Sequence, residues 1–385
     1  MQVLVIGYDV WFRCKHLILR FERHFVQLTA PIGPRRAVFA ERPAQPAAAC
    51  AVMLCFWMTL YAAGMGVSEL VHDPQARERL EARFAQLGDP RDGLSDALML
   101  TDELRAYFAD EVRAAFRELR ACPASPHGVL VRGAGRDPTL PRTPWDAEMP
   151  VERATHVGEW ILLTLASWLG TVVSYREQRA GQMLNNIVPV PGSEDEVSSQ
   201  GSRSTLGLHR ECTFSEVGPD FIGLYCHRGG EVATTVVSAA RLQSHLTEQR
   251  WGVLREPRFV TPLPPAFCRG GQPSTPLLPH RVFLGDRENP EIRVDMTLTR
   301  GADSEAEEAL EALRTIACDA DVLERITLHP GDVLFLDNRK CLHGRESFAA
   351  RFDGHDRWLV RLYVKADLWS CRDRLVGENL LVAAQ

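Results

Sequence analysis

Two hydrophobic periods divide this chain, a helical one in its first third and an alternating one afterwards. From Leu70 to Leu119 the pattern is helical, and Gln75–Leu87 (QARERLEARFAQL) sets leucine and phenylalanine at helical intervals with charges between them. Thr101–Leu119 repeats the pattern, with Thr101 as N-cap and Asp102 and Glu103 in the first turn. Pro123 and Pro126 end that helix. His127–Gly133 then reads as a short strand, Leu140–Pro144 as a turn, and the almost wholly apolar Trp160–Leu169 as a buried helix.

Beyond this point strands predominate. Asn186–Val190 is a short strand weakened by Pro189 and stopped at Pro191-Gly192. Residues 193–205 hold Glu194, Asp195, Glu196 and five serines, too polar to bury much, and are expected to form a mobile loop that acts as a lid. Phe221–Cys226 and Glu231–Val237 are β-rich runs separated by Gly229-Gly230. Ala239–Gln249 is expected to be helical, 256–280 irregular, and Arg281–Leu284 and Glu291–Leu298 strands. Ser304–Ala317 is an amphipathic helix with Ser304 as N-cap and Glu307 at its third position. Val333–Leu336 and the alternating run Trp358–Val364 complete the strands, leaving 366–385 as a short tail. The fold class is mixed α/β, mainly β.

Length and composition narrow the partners. A chain of 385 residues with 45% hydrophobic content can bury a large core, and a net charge of −6 gives no reason to expect nucleic acid. The ten cysteines form no C-x-x-C pair, which fits reduced core cysteines in a cytoplasmic protein. Residues 1–66 stand apart as an apolar extension, because Ala44–Val67 carries no charge over a span that would cross a bilayer. Three readings fit: translation starting at Met65, a membrane anchor, or a buried helix. The catalytic domain would then be 67–385, with no membrane expected unless 44–67 is a true anchor. Oligomeric state is not legible.

The candidate chemistry lies in LHRE, 208–211, and in DNRKCLHGRESFAARFDGHDRWLVR, 337–361. On an extended strand His209 and Glu211, two apart, would reach one ion from the same face. With His343 they form a two-histidine, one-carboxylate set, which leaves open positions on Fe(II) for a chelating co-substrate and dioxygen. Arg357 offers a planar fork suited to a carboxylate, and Thr235 or Thr234 a hydroxyl. Arg357, Leu359 and Arg361 share one strand face, so two arginines line one surface. His227, His245, His329 and His355 have no such setting and read as structural or solvated.

In these motifs the chain resembles the clavaminate synthase-like branch of the taurine dioxygenase-type Fe(II)/2-oxoglutarate oxygenases. It is most similar to the hydroxylases of free amino acids, such as the arginine β-hydroxylases of antibiotic pathways. The agreement covers roughly 68–370, with weaker matches at 127–133, 140–144 and 175–178. The resemblance implies a double-stranded β-helix (jelly-roll) core flanked by helices, and hydroxylation of a free L-amino acid, at C3 of arginine or a related basic one, in secondary metabolism. It implies Fe(II) on His209, Glu211 and His343, with 2-oxoglutarate and O2 as co-substrates and ascorbate as a supporting reductant. Arg357 and Thr235 would hold the distal carboxylate of 2-oxoglutarate. Arg361 would take the substrate α-carboxylate, Gln178 and Glu211 its α-amino group, and Asp295 a basic side chain. The family's D-x-D has Thr297 at its second position here, and Arg210 replaces the usual threonine between the ligands. The rival readings are a zinc hydrolase on the same triad and a non-catalytic, membrane-anchored binding protein.

Overall fold

A computed structural model describes residues 66–147, 152–264, 267 and 277–381. The apolar stretch 44–67 lies outside these residues except for Gly66 and Val67. Among the described residues no helix is long and apolar enough to cross a membrane.

Besides two small two-stranded pairings, the described strands of the two main sheets are β1 (Val67–Val71), β2 (Gly128–Arg132), β3 (Thr171–Tyr175), β4 (Asn185–Ile187), β5 (Leu206–His209), β6 (Phe221–Arg228) and β7 (Ala233–Ser238). They continue as β8 (Glu324–Thr327), β9 (Val333–Asp337), β10 (Cys341–Arg345), β11 (Trp358–Lys365), β12 (Leu375–Gly377) and β13 (Leu380–Leu381). The larger sheet has nine strands in the order β1-β2-β9-β6-β11-β3-β13-β12, with β4 also paired to β11. The smaller has four, in the order β8-β7-β10-β5.

Among the described residues seven α-helices flank the sheets: α1 (Pro74–Phe84), α2 (Leu94–Leu104), α3 (Asp110–Ala121), α4 (Val157–Ala166), α5 (Ala239–Ser244), α6 (Glu248–Leu254) and α7 (Ser304–Ala317). Strand alternation sorts the core into layers. Val129, Phe335, Tyr225, Val360 and Leu362 point out from the larger sheet onto Leu80, Phe116 and the apolar α4. Leu224, Leu334 and Leu359 point the other way, meeting Val236, Ile326 and Cys341 of the smaller sheet. Val237 and Leu342 cover that sheet's outer face with α6 and α7 residues. The site lies at one end of the space between the two sheets.

Several expectations are corrected. Val67–Val71 is a strand paired in parallel with β2, so the helical region starts after it. Thr101 is interior to α2, its hydroxyl donating to Leu98 O over 2.6 Å. The expected single helix breaks at Phe108 and Ala109, whose extended backbone turns the Phe108 ring into the core against His72 and Trp168. Ala239–Gln249 is two short helices capped by Ser238 and Thr247. The α7 cap is Asp303 rather than Ser304. Glu291–Leu298 is a strand only at Glu291–Ile292, because Asp295 Oδ1 takes the Thr297 and Leu298 amides, each at 2.8 Å, into a turn. The C-terminal tail is no loose end: β13 adds to the larger sheet in parallel with β3.

Candidate metal centre

His343 lies in β10 directly opposite His209, the last residue of β5, and their rings sit 4.4 Å apart. Glu211 joins them from a turn and not from a strand. The backbone turns at Glu211, and Cys212 beyond it has a φ of 55°, so strand alternation does not aim the carboxylate. Asn338 sets that turn, accepting from Glu211 N at 2.9 Å and donating to Glu211 O at 3.2 Å and Pro219 O at 2.8 Å. Ligand atoms of His209, Glu211 and His343 all lie within 4.8 Å of one another.

The chemistry of the set fits a divalent metal. His209 Nδ1 lies 2.9 Å from Gly207 O, which fixes the proton there and leaves the Nε2 lone pair free. Burial, then the neighbouring His209 and Arg361, push the His343 imidazole well below its usual range, so it stays a neutral donor. Its Nδ1 is buried with no hydrogen-bond partner among the described residues.

A second group, Asp137, Glu159 and His227, also brings ligand atoms within 4.8 Å, but its charges are already matched. Asp137 accepts from Thr155 Oγ1 and from the amides of Val157 and Gly158 at the start of α4. Glu159 contacts Arg153, Arg91 and His227. Burial would raise the Glu159 carboxyl, yet His227 and the two arginines hold it well below the carboxylate range. Two carboxylates facing two guanidiniums leave no net charge to attract a cation. His227 is structural, as its sequence setting suggests.

The two arginines of β11 occupy different parts of the interior. Arg361 Nη1 donates to Glu211 Oε2 at 3.1 Å, and both side chains are buried. Burial is the largest single influence and opposes its charge, but Glu211, Tyr363 and Cys212 together more than offset it and raise its pKa. Arg361 Nε has no partner among the described residues, and Tyr363 lies under the guanidinium at 4.7 Å. The Gln178 side chain is buried beside the Tyr363 hydroxyl. Asp295 pairs with His209 through an isolated backbone bridge, which brings it to the edge of the centre.

Arg357 has no carboxylate partner among the described residues, and burial lowers it to about 10. The hydroxyl it meets is that of Thr234, at 3.5 Å, and not that of Thr235. Register explains the difference. Gly344 pairs with Thr235 and His343 with Val236, so Thr235 points to the opposite side of the smaller sheet from His343. Arg345, which sequence reasoning passed over, is 5% exposed on the His343 side of β10, and burial lowers it too to about 10. Its signal was present in the sequence, two residues beyond His343 on an alternating strand.

Comparison with known proteins follows the same lines. The family described as taurine catabolism dioxygenase TauD, TfdA family matches residues 110–363. The L-asparagine oxygenase of Streptomyces coelicolor is 35% identical over 266 residues, 68% of this chain and 78% of that protein. The L-lysine 3-hydroxylase of Catenulispora acidiphila is 34% identical over 247 residues, 62% of this chain and 67% of that one. Clavaminate synthase 2 of Streptomyces clavuligerus is 30% identical over 305 residues, 78% of this chain and 93% of that one. A crystal structure of asparagine oxygenase with Fe(II), 2S,3S-3-hydroxyasparagine and succinate superposes with a TM-score of 0.73 at 30% identity, covering 82% of this chain and 99% of that one.

Proposed function

The chain belongs to the TauD, TfdA family of Fe(II)- and 2-oxoglutarate-dependent dioxygenases, and from that premise we propose that it hydroxylates a free L-amino acid at C3, with arginine or a related basic amino acid as substrate, in secondary metabolism in the cytoplasm. One observation carries this reading: the buried Arg361 guanidinium, in contact with Glu211 of the triad, is placed to take a carboxylate beside the metal. In this reading the paired sheets form a double-stranded β-helix, and 67–385 is one oxygenase domain. Characterised relatives act on asparagine and lysine by name, which supports an amino acid as substrate.

His209, Glu211 and His343 would hold the iron. When bound, the iron supplies the oxidation of 2-oxoglutarate by O2 to succinate and CO2, coupled to hydroxylation of a C–H bond. Arg357, with the Thr234 hydroxyl in place of the expected Thr235, holds the distal carboxylate of 2-oxoglutarate. Arg361 binds the amino acid α-carboxylate, while Gln178 and Glu211 face its α-amino group. Asp295 engages its Oδ1 with turn amides, so Oδ2 is the atom left for a cationic side chain. These contacts fix the reacting carbon relative to the metal, and the 193–205 loop keeps water from the co-substrate side. Membership of a dioxygenase family sets the zinc-hydrolase reading aside.

The test is substrate-dependent turnover. Purified protein with Fe(II), ascorbate and 2-oxoglutarate forms succinate when the right amino acid is added, and mass spectrometry locates one added oxygen at C3. A screen of the twenty amino acids and common basic analogues with no coupled succinate would defeat the reading.

A further inference from the structure

Arg345 and Arg357 line one tight crevice, together with Phe348 of the following segment and Ser199 of the 193–205 loop. Arg345 makes no contact with a carboxylate among the described residues. Its guanidinium donates instead to three backbone carbonyls: Gly201 O, Ser204 O at 2.5 Å and Glu346 O at 3.1 Å. It also stacks over the Phe348 ring at 5.1 Å, and Phe348 N donates to Ser202 O at 2.8 Å. Two of the three acceptors therefore belong to the loop.

The loop also carries internal ties. Ser202 is fully buried, its amide donating to Glu194 O, and Val190 N reaches Gln200 O. Gly201 packs so closely that a Cβ there would lie 2.0 Å from Glu196 O. Thr234, whose hydroxyl meets Arg357, is the β7 partner of Arg345 in the ladder. One cluster thus joins the loop, the triad strand β10 and the Arg357 fork.

We propose that Arg345 is a positioning residue for the co-substrate: it ties 199–204 to the wall carrying Arg357, so that a carboxylate bound at Arg357 and order in this loop depend on each other. Two like charges line the crevice, and the backbone carbonyls of Gly201, Ser204 and Glu346 hold the Arg345 fork. An anion on Arg357 offsets the repulsion and strengthens the tie; a loosened loop frees Arg345 and weakens the anion site. The coupling is reciprocal. The proposal rests on the reading that Arg357 binds 2-oxoglutarate.

The experiment measures two quantities anaerobically on the Fe(II)-loaded protein: the 2-oxoglutarate dissociation constant, and tryptic cleavage after Arg203, whose side chain is 59% exposed. In the wild type, saturating 2-oxoglutarate slows that cleavage at least about fivefold. R345Q raises the dissociation constant about tenfold or more and is cleaved quickly with or without 2-oxoglutarate. R345K, which keeps the charge without the planar fork, behaves like R345Q. G201A, which displaces the loop while leaving both arginines in place, weakens 2-oxoglutarate binding in the same direction. A wild-type dissociation constant in R345Q, full recovery in R345K, or a G201A chain cut quickly yet binding normally would each overturn the coupling. R357Q separates the two levels: unchanged 2-oxoglutarate binding in R357Q defeats the underlying reading of Arg357 whatever the Arg345 variants do.

Discussion

Arg361 and Glu211 meet through a 3.1 Å contact from Nη1 to Oε2, with both side chains inside the protein, so a buried cation and a carboxylate of the candidate triad share one bond. Losing either partner strands the other. For R361Q the expected result is a kcat/KM for the amino acid lowered about a hundredfold or more, since truncating one member of a buried charge pair costs about 2–5 kcal/mol. The KM for 2-oxoglutarate changes little. Steady-state kinetics with each substrate varied in turn checks this, and an unchanged amino-acid KM would remove Arg361 from the substrate site.

Arg357 separates two adjacent threonines. T234A removes the hydroxyl 3.5 Å from Arg357 and is expected to raise the KM for 2-oxoglutarate about 10-fold, in keeping with a hydrogen bond in a charged site. T235A, on the opposite face of β7, leaves that KM unchanged. The reverse ranking in side-by-side 2-oxoglutarate titrations would place the co-substrate on the other face of the sheet.

Stability should fall in mild acid through His280. This buried imidazole, in contact with Thr261 Oγ1 at 2.8 Å, is lowered from 6.5 to about 4, chiefly by burial and further by Arg293 and Arg210. Between those values the unfolded chain binds the proton that the folded one refuses, so folding stability rises with pH. It is fully present above 6.5 and is lost as pH drops toward 4, by about 2 kcal/mol at pH 5. Urea unfolding at pH 7 and pH 5 measures it, and H280Q should flatten the difference; an equally steep pH dependence in H280Q would assign it to other groups.

Much of this was legible in the sequence because its signals are local. The alternation of Trp358–Val364 separates Leu359, in the inter-sheet core, from Val360 and Leu362, against the helices. The Trp160–Leu169 run is buried helix α4 through Ala166. What stayed hidden depends on partners distant in the chain. Thr234 and Thr235 are chemically alike, and only the pairing of β7 with β10 decides which faces Arg357. The ties of the polar 193–205 loop to Arg345 and Phe348 are out of reach of a local reading, because those residues lie some 140 residues on. Glu211 reads as a strand residue because nothing in its neighbours announces a left-handed Cys212, a conformation usually signalled by glycine.

The geometry of the triad also depends on a residue that ligates nothing. Gly344 follows His343 in β10, where a Cβ would lie 2.5 Å from Leu206 O and 2.9 Å from Thr235 Oγ1. The backbones of β5 and β10 approach this closely just where their pairing shifts register between His343 and Arg345. An added methyl must push β5 away, and β5 carries His209. Overpacking of this kind costs about 1–3 kcal/mol of stability. It also widens the gap between the two imidazoles, for which the expected loss in iron affinity is about 10- to 100-fold, the range for changes around a metal's ligands. G344A should therefore keep its fold, lower its unfolding midpoint by several degrees, and need far more Fe(II) to reach full activity. Iron titrations of wild type and G344A measure this directly; equal iron affinity alongside the stability loss would mean that the triad is set by its side chains and not by how closely β5 and β10 approach.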